Sequence, residues 1–77
     1  MSSDPGAALA SRLAYLYNTH AQQVYGLCLR LSSDAHLAEE LAQDVWVRIW
    51  QQLAALRRDD DAGGWIHQVT INVVRND

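Results

Sequence analysis

The apolar positions in the first part of the chain follow the spacing of an amphipathic helix. Between Ala7 and Leu31 they recur at steps of three and four residues, which is the helical period. They are Leu9, Leu13, Leu16, the semi-apolar His20, Val24, Leu27 and Leu31. Asn18-Thr19-His20 is the weakest stretch because Asn and Thr favour caps over helix interiors, so we predict one helix or two end-to-end pieces. Gly26 costs about 1 kcal/mol relative to Ala inside a helix, and close approach of another helix is one explanation. Residues 1–6 are expected to form a flexible leader.

A second helical pattern begins after Ser32-Ser33-Asp34. Each of these residues can cap a helix start, and we predict a simple cap made by Asp34 or Ser33. The helix is then expected to run to about Leu56. Its predicted core line is Leu37, Leu41, Val45, Ile49, Leu53 and Leu56.

The last third of the chain is predicted as a loop, Arg57–Gly64, followed by a third element, Trp65–Asn76. The third element is rich in β-branched residues, which favour a strand. However, the chain has no second strand-like run to pair with it, and an isolated strand is unstable. Ile66, Val69 and Val73 also step by three and four, so we predict a helix. The expected fold is an all-α compact bundle of three to four helices in a single domain, residues 7–77.

The second helix carries an unusual outer face. When its residues are placed at about 100° intervals, the half opposite the core line holds Glu39, Glu40, Gln43, Asp44, Val47 and Trp50. Glu40, Gln43 and Asp44 lie at i, i+3 and i+4 and form one patch. Carboxylates for steering and an aromatic anchor suit a protein interface. The alternative is that the early acidic residues only meet the helix dipole and that Trp50 packs on the third helix. The residues alone leave both interpretations open.

Composition narrows the classes of function. The net charge is −3, which argues against tight nucleic-acid binding by charge alone. Cys28 is the single cysteine, so no internal disulfide is available; we expect it to be a small core residue in a reducing, cytosolic compartment. No stretch approaches the roughly 20 apolar residues that a membrane span needs.

Candidate catalytic chemistry is sparse. His20, His36 and His67 lie on different elements at no metal-ligand spacing. Gly63-Gly64 is too short to cradle a phosphate and lacks a P-loop lysine. No cleft is indicated around the acidic residues of the second helix. We therefore predict a protein that is not an enzyme and that needs no metal or cofactor.

Three stretches resemble region 2 of bacterial sigma factors, in particular the extracytoplasmic-function (ECF) group. Residues 16–32, with Leu16-Tyr17 and Leu29-Arg30-Leu31-Ser32, are similar to the family's opening helix. Residues 38–50, AEELAQDVWVRIW, closely resemble its polymerase-binding helix. Residues 64–72, GWIHQVTIN, are similar to the start of the helix that reads the −10 promoter element. The resemblance covers about residues 13–77 and implies a region 2 (σ2) fold without a catalytic site.

The resemblance also implies roles for individual residues. Glu40, Gln43 and Asp44 are expected to contact the clamp helices of the polymerase β′ subunit, supported by Val47 and Trp50. On the DNA side, the loop 57–64 is expected to pocket a base flipped out of the −10 element, at a cost of a few kcal/mol in unstacking. The residues expected at the DNA are Arg57, Arg58, Trp65, Asn72, Arg75 and Asn76. An anti-sigma protein is implied as a regulatory partner.

Departures from the family pattern leave other classes of function open. Asp59-Asp60-Asp61 would repel phosphate, and Gln68 and His67 stand where relatives often have Arg and an aromatic residue. Nothing in the chain resembles region 4, so we expect one domain of a larger factor. The main alternative is a helical protein–protein adaptor that never touches DNA. A helix-turn-helix DNA binder is disfavoured by the acidic balance and by the loop 57–64 in place of a tight turn.

Overall fold

The computed structural model describes residues 5–56 and 62–76, and within them it contains three α-helices and no strand. Helix α1 spans Pro5–Ser32, α2 spans Ala35–Gln52 and continues into a 3₁₀ turn at Leu53–Ala55, and α3 spans Ala62–Asn76. Each of the three helices contacts the other two. The predicted all-α bundle is confirmed, with three helices.

Helix α1 is a single unbroken helix, which settles the choice between one piece and two. Thr19 is accommodated inside it because its hydroxyl Oγ1 donates to the Tyr15 carbonyl oxygen at 2.8 Å. The helix begins at Pro5, two residues earlier than the pattern indicated. Proline is well suited to a first turn, where its missing N–H has no intrahelical partner to lose.

The turn between α1 and α2 uses Ser33 and Asp34 for different tasks. Ser33 takes the left-handed conformation, with φ of 58°, and its N–H donates to the Leu29 carbonyl at 2.8 Å. This is the left-handed C-terminal motif that commonly ends a helix. Asp34 caps α2: its Oδ1 accepts from the N–H groups of His36 at 3.0 Å and Leu37 at 3.2 Å. Of the two candidate caps, Asp34 is therefore the one used.

The core lies along the line where the three helices meet. Its buried apolar residues are Leu16, Val24, Cys28, Ala38, Leu41, Val45, Ile49, Leu53, Ala62, Ile66, Val69 and Val73. Cys28 is fully buried, as predicted, and burial raises the pKa of its thiol. Leu31 follows the apolar spacing of α1, but its side chain is 48% exposed. Leu31 lies in the last turn of α1, one residue before the helix ends at Ser32.

The start of α3 corrects the predicted loop Arg57–Gly64. Ala62, Gly63 and Gly64 are helical, and residues 57–61 lie outside the described part of the chain. Ala62 is only 4% exposed and stands four residues before Ile66, so it extends the buried stripe of α3 by one turn. That burial outweighs the low helix propensity of the two glycines.

Burial also explains why the β-branched sequence of α3 is helical. Ile66, Val69 and Val73 are buried on one stripe, as the spacing predicted. Thr70 is fully buried beside them, and its Oγ1 donates to the Ile66 carbonyl at 2.7 Å. The threonine hydroxyl is therefore satisfied inside the helix, and no unsatisfied side-chain polar atom is buried in the described residues.

Gly26 does not mark a close approach between helices, so that explanation was wrong. A Cβ built on Gly26 would meet no atom within 4 Å outside its own helix.

None of the helices described is long and apolar enough to cross a membrane.

Candidate functional site

The outer face of α2 is exposed along its whole predicted length. We call Glu40, Gln43, Asp44, Val47 and Trp50 the docking face, and all five side chains are exposed. Val47 is 55% and Trp50 is 44% exposed, and neither belongs to the core cluster. Trp50 is therefore not a core residue. The helix presents two large apolar side chains to solvent beside three polar ones.

The polar part of the docking face is weakly engaged with the rest of the chain. Glu40 pairs with His36 one turn earlier, at 3.3 Å between Oε2 and Nε2. Both side chains are largely exposed, and the pair is ionic only when His36 is protonated. An exposed pair at i, i+4 contributes little, so Glu40 is easily released to a partner.

An apolar groove lies between α1 and α2, beside the docking face. Its volume is about 690 Å³, and its lining is mostly apolar. The Tyr17 and Trp46 rings meet in this groove, with centroids 5.1 Å apart and planes tilted by 60°. Gln43 and Val47 belong both to the groove lining and to the docking face. The groove residues are Tyr17, Ala21, Gln22, Tyr25, Glu39, Ala42, Gln43, Trp46 and Val47.

Sequence reasoning missed this groove. Trp46, which forms part of its lining, is half-buried and packed against the core. Tyr17 and Tyr25 are eight residues apart and therefore lie close to one helical face. This spacing is the feature of the sequence that could have indicated the groove. Both lie just off the core stripe of α1.

The predicted DNA residues on α3 fall partly on one line. Asn72 and Asn76 follow Trp65 by seven and eleven residues, so each lies within about 20° of Trp65 around the helix. We call these three residues the α3 stripe. Trp65 is half-buried, whereas Asn72, Arg75 and Asn76 are exposed. The Gln68 amide Nε2 donates to Asn72 Oδ1 at 3.4 Å, a long and weak hydrogen bond. Arg57 and Arg58 lie outside the described residues.

The α3 stripe and the docking face approach each other across a cleft. The cleft has a volume of about 260 Å³ and is open to solvent between α2 and α3. It is lined by Asp44, Val47, Arg48, Gln51, Val73 and Asn76. The two groups of residues that the sequence assigned to different partners are therefore neighbours at this point.

Arg12 makes a long-range contact that no local pattern could predict. Its guanidinium Nη1 donates to the Leu56 carbonyl oxygen at 2.8 Å, across 44 residues of chain. The contact is partly buried and joins the first half of α1 to the end of the 3₁₀ turn. It therefore fixes the backbone immediately before residues 57–61.

Catalytic and metal-binding features are not brought together in the described residues. No group of three or more His, Cys, Asp or Glu side chains within residues 5–56 and 62–76 could hold a metal ion. The buried Cys28 thiol has a raised pKa, which makes it a poor nucleophile. The exposed surfaces are suited to binding.

Comparison with known proteins points to one family. The family model described as Sigma-70 region 2 matches residues 16–77. The chain is 34% identical over 58 residues to the ECF RNA polymerase sigma factor SigE of Mycolicibacterium smegmatis, covering 75% of this chain and 22% of that protein. It is 32% identical over 73 residues to the ECF RNA polymerase sigma factor SigL of Mycobacterium tuberculosis, covering 94% of this chain and 41% of that protein.

A third relative extends the comparison beyond these two. The probable RNA polymerase sigma factor RfaY of Xanthomonas campestris pv. campestris is 30% identical over 74 residues, covering 94% of this chain and 18% of that protein. The chain thus spans roughly a fifth to two fifths of the length of these relatives. No solved structure matches it significantly.

Proposed function

The chain belongs to the sigma-70 region 2 family, and from that premise we propose that it binds core RNA polymerase and takes part in transcription initiation at the −10 promoter element. The observation that carries the proposal is the docking face. It lies within residues 38–50, the segment that most closely resembles the family's polymerase-binding helix, and all its side chains are exposed.

The docking face has the composition of a protein-binding surface. Glu40 and Asp44 steer a basic partner during encounter, and Gln43 supplies directional hydrogen bonds. Val47 and Trp50 supply apolar area that is costly to leave in water and is covered in a complex. We assign the clamp helices of the β′ subunit as the surface that covers it.

The groove between α1 and α2 supports the same assignment. Gln43 and Val47 border it, so a partner seated on the docking face is directly beside the Tyr17–Trp46 ring pair. Its volume of about 690 Å³ is in the range of pockets that take large apolar groups. A side chain of the partner can therefore enter the groove and add buried apolar area.

The second part of the proposal is contact with melted promoter DNA through α3. The α3 stripe offers an indole for stacking and two amides for hydrogen bonds to exposed base edges, which suits single-stranded DNA. With a net charge of −3, the chain lacks the cations for independent binding. We therefore propose that DNA contact occurs within the polymerase complex, in the cytoplasm, and that an anti-sigma protein covers these surfaces when the factor is held inactive.

Two substitutions on the docking face test polymerase binding. Gln43→Ala and Asp44→Arg should each abolish or strongly weaken retention of core RNA polymerase, because they remove a hydrogen-bonding amide or reverse a steering charge. Gln23→Arg adds the same kind of charge at an exposed α1 position away from the docking face and should leave retention unchanged. Far-UV circular dichroism checks that every variant is folded. If both face variants retained core RNA polymerase as well as wild type does, the docking face would be rejected.

Asn72→Ala separates the sigma-factor proposal from an adaptor that never touches DNA. Anisotropy of a labelled single strand with a −10-like sequence is measured with the chain assembled on core polymerase. The variant should lose the preference for that sequence over a scrambled strand while retaining polymerase. A wild-type complex without any such preference would favour the adaptor.

A further inference from the structure

The groove between α1 and α2 contains three aromatic rings and a single charged group. The rings belong to Tyr17, Tyr25 and Trp46, and the charged group is the Glu39 carboxylate. Within the described part of the chain, no arginine, lysine or histidine lines the groove. The groove therefore offers ring faces and a negative charge together, which is the combination that attracts organic cations.

The Glu39 carboxylate is available to a ligand. Glu39 is exposed, and within residues 5–56 and 62–76 it forms no ion pair and no side-chain hydrogen bond. The helix dipole does not account for its position, because Glu39 is beyond the first turn of α2 and the effect of the dipole falls off within that turn. Its neighbour Glu40, by contrast, is paired with His36.

The rings and the carboxylate are arranged along the length of the groove. The two helices are joined by a short turn and run antiparallel, and the Tyr17–Trp46 ring pair lies at one end of the groove. Tyr25 is eight residues after Tyr17 on α1, which is about 12 Å along the helix axis. Glu39 is seven residues before Trp46 on α2, which is about 10 Å. Tyr25 and Glu39 therefore lie together at the other end.

We propose that the α1–α2 groove binds an amphipathic organic cation, a small molecule with an alkylated ammonium head and an apolar tail. The head lies between the Tyr25 ring and the Glu39 carboxylate. The tail lies against the Tyr17–Trp46 ring pair. This site goes beyond the proposed function, in which a partner protein contributes apolar area to the groove.

The size and walls of the groove fit a ligand of this kind. Its volume of about 690 Å³ is within the usual range for small-molecule sites. The planes of Tyr17 and Trp46 are tilted by 60°, so the two rings form a corner that can enclose an apolar tail. Ala21 and Ala42 also line the groove, and their small side chains leave room between its two ends. The net charge of −3 adds a general attraction for cations.

Titration of the full chain with hexyltrimethylammonium tests the proposal. Binding is followed by NMR through the ring protons of tyrosine and tryptophan. Tetramethylammonium, which is the head alone, and 1-hexanol, which is a neutral tail, are the comparison ligands. Hexyltrimethylammonium should bind about tenfold more tightly than either, because it alone uses both ends of the groove. Equal affinities for hexyltrimethylammonium and 1-hexanol would overturn the proposal, since the groove would then select only apolar surface.

Glu39→Gln separates the charge of the groove from its shape. It should weaken binding of hexyltrimethylammonium about threefold, the effect of one exposed ion pair, and leave binding of 1-hexanol unchanged. Gln23→Arg changes the net charge by the same amount at an exposed position outside the groove, so it should leave both affinities unchanged. If the two variants weakened binding of the cation equally, the attraction would be general and the role of Glu39 would be overturned.

Two substitutions of Tyr25 test the ring at the head-group end. Tyr25→Phe keeps the ring and should bind hexyltrimethylammonium within about twofold of wild type, whereas Tyr25→Leu should bind it about fivefold more weakly. Far-UV circular dichroism checks that both variants are folded. Wild-type affinity in Tyr25→Leu would overturn the head-group site. All of these titrations are made without polymerase or DNA, so their outcome is independent of the proposed function.

Discussion

Asp34→Ala removes the side chain that caps the docking helix, and its effect can be worked out from the turn geometry. Two bonds are lost, from the His36 and Leu37 N–H groups to Oδ1, at 3.0 and 3.2 Å. Loss of an N-terminal cap costs about 1 kcal/mol, within a range of roughly 0.5–2. Asp34 is exposed, so water replaces part of the lost bonding, and we expect about 1 kcal/mol.

The measurement is urea unfolding followed by far-UV circular dichroism, with Tm from a thermal scan. For a domain of 60–100 residues, 1 kcal/mol corresponds to a fall in Tm of roughly 4–8 °C. Asp34→Asn is the matched control, because it retains a side-chain oxygen acceptor and loses only the charge. It should be destabilised relative to wild type by only about 0.3 kcal/mol, the low end of the range for a charge near a helix N-terminus, because Asp34 is exposed.

The reasoning would be refuted if Asp34→Ala unfolded at the wild-type urea midpoint. That result would mean that α2 is started by another residue in solution. If Asp34→Asn were as damaging as Asp34→Ala, the cap would act through its charge and the two hydrogen bonds would not matter.

Three further predictions follow from particular contacts. Gly26→Ala should raise the free energy of unfolding by about 0.5–1 kcal/mol, since the added Cβ meets nothing within 4 Å; a destabilised variant in urea unfolding would contradict this. Cys28 should resist thiol reagents in the folded chain. Burial raises the pKa of the Cys28 thiol above its value in the unfolded chain, about 8.5. The stabilisation that the neutral thiol contributes is therefore fully present below the unfolded pKa and is lost as the pH rises through the higher folded pKa. This pH dependence should vanish in Cys28→Ala. Arg12→Ala should destabilise the chain by about 1–2 kcal/mol through loss of the bond to the Leu56 carbonyl, and an unchanged unfolding midpoint would show that this bond contributes nothing.

The features that the sequence predicted correctly are those set by local periodicity. The core line of α2 and the buried stripe of α3 follow directly from steps of three and four, because burial of one helix face selects those positions. The same projection put the docking face on the exposed side of α2. For α3 the same projection predicted a helix in spite of the strand preference of β-branched residues. The structure agrees, and the Thr70 hydroxyl is hydrogen-bonded within the helix.

The features that were missed depend on tertiary contacts. Leu31 fits the stripe of α1 but is exposed in its last turn. Gly63 and Gly64 look like loop residues, yet burial of Ala62 extends α3 through them. The hydrogen bond from Arg12 to Leu56 spans 44 residues, so no window along the sequence could reveal it.

The pockets between helices were missed for the same reason, because they also depend on tertiary contacts. The Tyr17–Trp46 pair joins α1 to α2, and a pocket lined by Leu56 and Trp65 joins the 3₁₀ turn to α3. Each depends on how two helices are placed against each other, which a projection of a single helix does not contain. The family resemblance supplied roles for residues, whereas the structure supplied the neighbours of those residues.

Site-specific photo-crosslinking tests the docking face most directly. A photoreactive amino acid replaces Val47, which is 55% exposed, and the chain is irradiated on core RNA polymerase. The control replaces Tyr15, which is 63% exposed and lies about 160° around α1 from the groove residue Tyr17. The account predicts a crosslink to the β′ subunit from position 47 and none from position 15. A β′ crosslink from position 15 alone, or equal crosslinks from both, would contradict it.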